Sequence, residues 1–106
     1  MIWVEIRVRQ EKGMASLEVE GELDFSNVEL LQREIQRLPE EVVEVDLQGL
    51  QFIDSSGVGM LLSQARIFYK QGRTLRIVRI PSHIQEDLEV IGFFRVLEVL
   101  ETKPNA

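Results

Sequence analysis

Three short segments of this chain alternate apolar and charged residues with a period of two, and that pattern restricts the fold more than anything else in the sequence. Ile2, Val4, Ile6 and Val8 alternate with Trp3, Glu5, Arg7 and Arg9. Leu17 and Val19 alternate with Ser16, Glu18 and Glu20, and Val43, Val45 and Leu47 with Glu44 and Asp46. Period two marks a strand with one buried face. A parallel sheet covered by helices on both sides shows near-continuous apolar strands instead. These segments therefore predict a sheet covered on one face only, with Trp3, Glu5, Arg7, Glu18 and Glu44 on the open face. Glu11-Lys12-Gly13 reads as the turn of a hairpin whose second strand ends at Gly21. A fourth strand is predicted over 74–80, where Val78 and Ile80 fall out of phase with Leu75 and Ile77. Full burial or a backbone irregularity accounts equally well for that break.

Helical spacing fills the intervals. Val28, Leu31, Ile35 and Leu38 mark a helix over 27–38, with Ser26 as its N-cap, Glu29 completing a capping box and Pro39 ending it. Val58, Leu61, Leu62, Ala65, Phe68 and Tyr69 mark a second helix over about 56–71, stopped by Gly72. A third begins after Pro81-Ser82, places Ile84, Leu88 and Ile91 on one face and ends at Gly92. Residues 93–100 read as a short last strand before a polar tail over 101–106. The predicted order is ββαβαβαβ. That is an α/β, two-layer fold in one domain spanning 1–106, with a mixed sheet of four to five strands and helices on one face.

Composition excludes several kinds of function. A chain of 106 residues, 44% hydrophobic and 28% charged, builds one modest core and is not disordered. No apolar stretch approaches the roughly 18 residues a membrane helix needs, and the alternating, acid-bearing N-terminus is not a secretory signal. Cysteine is absent, which removes disulfide and thiol chemistry and fits the cytoplasm. Twelve Lys and Arg against 18 Asp and Glu give a net charge of −6, with no basic cluster to meet a phosphate backbone. Neither nucleic acid nor membrane is an expected partner.

Functional interest centres on Asp54-Ser55-Ser56-Gly57-Val58-Gly59, where the third strand hands over to the second helix. A serine nucleophile needs a base and a group to orient that base. The one histidine, His83, stands beside the third helix, and no Gly-x-Ser-x-Gly elbow is present. The chain has no glycine-rich phosphate loop with its lysine. Glu40-Glu41, beside Pro39, reads as a solvated turn and not as metal ligands. An aspartyl-phosphate receiver would need an acidic pair and a late lysine that are missing here. Catalysis, a cofactor and a metal are therefore not expected. Helix capping explains part of the stretch, because Asp and Ser oxygens accept the first free amide hydrogens. It does not explain two glycines in the first turn, each costing roughly 1 kcal/mol relative to alanine. Small residues there let another surface approach the serines, and the electropositive helix N-terminus suits a phosphate.

The run from Phe52 to Leu62, FIDSSGVGMLL, resembles the signature of the STAS domain family, the module of anti-sigma-factor antagonists and of sulphate-transporter tails. Gly21-Glu22-Leu23-Asp24 is similar to the family's stretch after its second strand. Ile91-Gly92-Phe93-Phe94-Arg95-Val96 is similar, more weakly, to the turn before its last strand. The resemblance spans nearly the whole chain and implies an anti-sigma-factor antagonist acting as a serine-phosphorylation-controlled binding switch. It implies Ser55 as the phosphate acceptor and Asp24, Asp54, Ser56, Gly57 and Gly59 as the partner-binding surface. In that surface the aspartates shape the loops and the glycines give clearance. The implied partners are a kinase-type anti-sigma factor, to which the ATP belongs, and a serine phosphatase; the chain itself is no enzyme. Capping chemistry alone does not separate Ser55 from Ser56. A last strand over 93–100 leaves little chain for the C-terminal helix common among antagonists. Two rival readings stand beside this one: a STAS scaffold or adaptor in a signalling or transport assembly, and a small enzyme or nucleotide-binding protein using Asp54 and Ser55 directly. The oligomeric state stays open.

Overall fold

Gly13, at φ +81°, closes the hairpin between β1 (Val4–Glu11) and β2 (Met14–Leu23). The two strands run antiparallel, with Ile6 opposite Val19 and Arg7 opposite Glu18. The computed structural model describes residues 3–101, so Ile2 and the end of the polar tail, 102–106, lie outside the described residues. β3 (Val42–Ile53) pairs parallel to β2, and β4 (Thr74–Val78) parallel to β3, giving the sheet order β1-β2-β3-β4. Each parallel step needs a crossover. The first is α1 (Val28–Arg37) and the second α2 (Ser55–Lys70). Two short helices, α3 (Ser82–Val90) and α4 (Phe93–Glu101), complete the chain. Pro39 acts as expected: Leu38, before it, leaves the helix in an extended conformation because the proline ring disfavours the helical region there.

All four helices contribute to one core with one face of the sheet. Leu17, Val19, Val43, Val45, Leu75 and Ile77 meet Leu31, Ile35, Leu61, Phe68, Leu88 and Phe93 there. Across the sheet, Trp3, Glu5, Arg7 and Glu18 are exposed and Glu44 is half-buried, with ion pairs Arg7–Glu20 and Arg76–Glu44 between strands. The two-layer α/β architecture with a one-sided mixed sheet is as the alternation predicts. The phase break in β4 also finds its cause. The strand stops at Val78, and Arg79 adopts the left-handed region at φ 50°. That twist lets Ile80 turn back and pack against the core. The Arg79 guanidinium meanwhile donates from Nε to Oδ2 of the buried Asp46 at 2.7 Å.

Two expectations are corrected at the C-terminus. Residues 93–100 are helical, not a strand, so the order is ββαβαβαα and the sheet has four strands. Phe93 and Leu97 are buried and Leu100 packs against the core, a spacing of four and then three, whereas Val96 and Val99 are exposed. A helix at the C-terminus is therefore present, and it packs on α2 and β4. Ile91, expected on the buried face of α3, is 63% exposed. It sits in the turn that Gly92, at φ +76°, makes between the two helices.

Arg73 ties the N-terminal ends of the parallel strands together. Its guanidinium donates to the carbonyls of Leu38 and Glu40 at 2.6 and 2.7 Å and lies 4.0 Å from the Phe68 ring centroid. Burial lowers its pKa and Glu40 opposes that shift. Glu40 is itself half-buried and accepts from Gln10, so it is more than the solvated turn residue expected.

Candidate functional site

β2 and β3 end side by side, Leu23 opposite Ile53, and each strand is followed directly by an aspartate. The Asp54 amide donates to the Leu23 carbonyl at 3.1 Å, which locks the two exits together. The Asp54 carboxylate then does two things. Its Oδ1 accepts from the Gly57 amide at 3.0 Å and caps α2. Its Oδ2 accepts from the Phe25 amide at 3.0 Å, in the turn between β2 and α1. One side chain thus satisfies a free helix amide and holds a loop 29 residues away.

Asp24 organises that turn from inside. It is only 7% exposed. Its Oδ1 accepts from the Ser26 amide at 2.9 Å and from the Ser26 hydroxyl at 2.5 Å. Asn27 closes the other side, with Oδ1 accepting from the Asp24 amide and Nδ2 donating to the Glu22 carbonyl. The capping box expected of Ser26 and Glu29 is not formed. Asn27 occupies the N-cap position of α1 without a side-chain cap bond, and Ser26 serves Asp24 instead. Asp24 is thus enclosed within the turn it organises.

With Asp54 as cap, α2 begins at Ser55, one residue earlier than the spacing predicts. Ser55 is exposed and Ser56 half-buried on the first turn. The two glycines part company. Gly57 is buried, and a Cβ there would lie 2.7 Å from Ile53 Cγ1 and 3.2 Å from Leu23 Cδ2. The close approach it permits within the chain is that of α2 on the ends of β2 and β3. Gly59 is exposed, and a Cβ there would meet no heavy atom within 4 Å.

That contrast makes a stability prediction. Gly57→Ala should destabilise by about 1–2 kcal/mol, since overpacking outweighs the better helix propensity. Gly59→Ala should stabilise by up to about 1 kcal/mol. Urea unfolding of the two variants checks it, and equal shifts would contradict the packing described.

Sequence patterning alone missed Phe25, which is 78% exposed on the turn that both aspartates hold. The one available signal was a large apolar residue in a turn, belonging to no periodic stripe. Phe52, at the end of β3, is 48% exposed. His83 is exposed and its Nε2 lies 3.0 Å from the Gln51 carbonyl, tethering the start of α3 to β3. Two hollows of about 140 and 130 Å³ lie on the open sheet face, and neither is lined by Asp54 or Ser55. Asp24 is committed to the amide and hydroxyl of Ser26 in its own turn, and Asp54 to the amides of Gly57 in α2 and Phe25 in the neighbouring turn. Phe25, Ser26, Ser55 and Gly59 are the exposed residues of the turn and of the first helical turn. No group of three metal-binding side chains occurs among the described residues, and no described helix is long and apolar enough to cross a membrane.

Comparison with known proteins places these features in a wider set. The model of the STAS domain family matches residues 5–106. An anti-sigma F factor antagonist from Paenibacillus polymyxa is 24% identical over 107 residues, covering 97% of this chain and 92% of that protein. An anti-sigma factor antagonist from Mycobacterium paratuberculosis has the same fold, with a TM-score of 0.75 at 17% identity over 88% of this chain and 81% of that one. The phosphorylated form of the Bacillus cell fate determinant SpoIIAA does too, with a TM-score of 0.70 at 19% identity over 86% of each chain.

Proposed function

Because the chain belongs to the STAS domain family, we propose that it is an anti-sigma-factor antagonist whose docking surface is switched by a phosphate on Ser55. One observation carries this reading. Asp54 supplies the helix cap with one oxygen and holds the neighbouring turn with the other, so exposed Ser55 on the first turn of α2 is not needed for either task. A serine spared from the fold is free to be modified. The Paenibacillus relative is an antagonist by name, and the related Bacillus fold exists in a phosphorylated form; both support the assignment.

In this mechanism the unphosphorylated chain binds an anti-sigma factor that is also a serine kinase, and the sigma factor is released. The kinase transfers the γ-phosphoryl group of its own ATP to Ser55 Oγ; the hydroxyl proton passes to a base on the kinase and ADP is the leaving group. A serine phosphatase restores the hydroxyl. The chain is the substrate throughout and needs no cofactor of its own. Phosphate adds roughly −1.5 to −2 charges. At the α2 N-terminus that charge meets free amides and the positive end of the helix dipole, while adjacent Asp54 repels it. The fold is little disturbed, and the change is felt by whatever docks there.

Incubation with ATP and the anti-sigma factor encoded in the source genome, followed by phosphopeptide mapping, tests the site. The phosphate should appear on Ser55, disappear in Ser55→Ala and persist in Ser56→Ala. A phosphate on Ser56 would overturn the assignment.

A further inference from the structure

We propose that Phe25 is the apolar anchor gripped by the protein that phosphorylates Ser55, with Asp24 and Asp54 as its positioning residues. This rests on the antagonist reading above and adds how the partner is held. A singly exposed apolar side chain is ordinary by itself. Phe25 is set apart by the turn beneath it. Its own amide is bound by Asp54 Oδ2, the next residue's amide and hydroxyl by Asp24 Oδ1, and the Asp24 amide by Asn27 Oδ1. The backbone on either side is thus fixed while the ring stays 78% exposed. Phe68 and Phe93, by contrast, are buried.

Position names the occupant. The carboxylate that holds the Phe25 amide belongs to the residue immediately before Ser55, and the same carboxylate caps the helix that Ser55 begins. A protein whose active site covers Ser55 stands beside the Phe25 turn, whose amide is bonded to the residue before Ser55. An aromatic residue whose backbone is already fixed has less conformational freedom to lose on binding, and aromatic side chains at the centre of an interface carry much of its affinity. The partner is a serine kinase with an apolar pocket beside its phosphoryl-transfer site. Enclosed Asp24 then influences binding through Phe25 and not by direct contact.

The test is calorimetric titration of the purified anti-sigma factor from the source genome into wild type, Phe25→Ala, Phe25→Leu and Ser55→Asp, with phosphorylation kinetics alongside. Phe25→Ala should weaken binding about thirtyfold while melting within about 4 °C of wild type. Phe25→Leu should recover most of the affinity. Phosphorylation of Phe25→Ala should show a raised KM and an unchanged kcat. Asp24→Ala should weaken binding in the wild-type background and have no further effect on affinity in the Phe25→Ala background, as a positioning residue must. If Phe25→Ala binds like wild type while Ser55→Asp does not, the antagonist reading survives and this inference falls. If wild type does not bind the anti-sigma factor, both fall. Should Phe25→Ala instead abolish self-association in sedimentation, with anti-sigma affinity unchanged, the occupant is a second copy of this chain and the proposal is overturned.

Discussion

Ser55→Asp is expected to lose at least about a hundredfold in affinity for the anti-sigma factor, about 2.7 kcal/mol, while melting within about 4 °C of wild type. The two halves of that result have separate causes. In the free protein the new carboxylate stands on the first turn of α2, where the helix dipole favours it by about 0.3–1 kcal/mol. Repulsion from Asp54 takes back part of that gain. In a complex, the same charge is withdrawn from water against a surface fitted to a hydroxyl, and burying an unpaired charge costs several kcal/mol even after relaxation. Ser55→Ala removes neither cap nor strap and should bind like wild type. Calorimetry and thermal melts on the two variants read both halves.

Asp54→Ala should be the most destabilising of the site substitutions, by about 2–4 kcal/mol in urea unfolding. Loss of the N-cap accounts for about 0.5–2 kcal/mol. The Phe25 amide, stripped of its acceptor, adds a cost of about 1–3 kcal/mol to the extent that water does not replace the carboxylate. Asp54→Asn separates the two functions. An amide side chain has one oxygen, so it keeps either the Gly57 bond or the Phe25 bond and turns an NH₂ group toward the other amide. Its stability should fall between wild type and alanine. Asparagine as stable as aspartate would mean that the two-oxygen strap contributes nothing.

The alternation of β1, β2 and β3 carried most of the fold, because a period of two with charges on one side leaves few architectures open. Reading failed where one local pattern fits two structures. The run FFRVLEVL is rich in aromatic and β-branched residues, which favour strands, yet its apolar positions also suit a helix, and packing against α2 and β4 decides the matter. The irregularity in β4 depends on Arg79 at positive φ, which nothing in the residue type announces. At the site, the Asp-Ser-Ser-Gly stretch was conspicuous as a strand-to-helix junction. Its internal division of labour was not. The bond from Phe25 to Asp54 links residues 29 apart, and the contact that requires Gly57 is to the ends of two different strands. Local spacing shows neither.

In the proposed switch a phosphate on Ser55 controls docking without remaking the fold, and the modified protein itself tests this. The chain is phosphorylated by the anti-sigma factor with ATP, repurified, mapped to Ser55, and titrated against fresh anti-sigma factor beside the unmodified chain. An affinity at least about a hundredfold lower for the phosphorylated form, with closely similar melting curves, is the predicted result. Equal affinities of the two forms would contradict it.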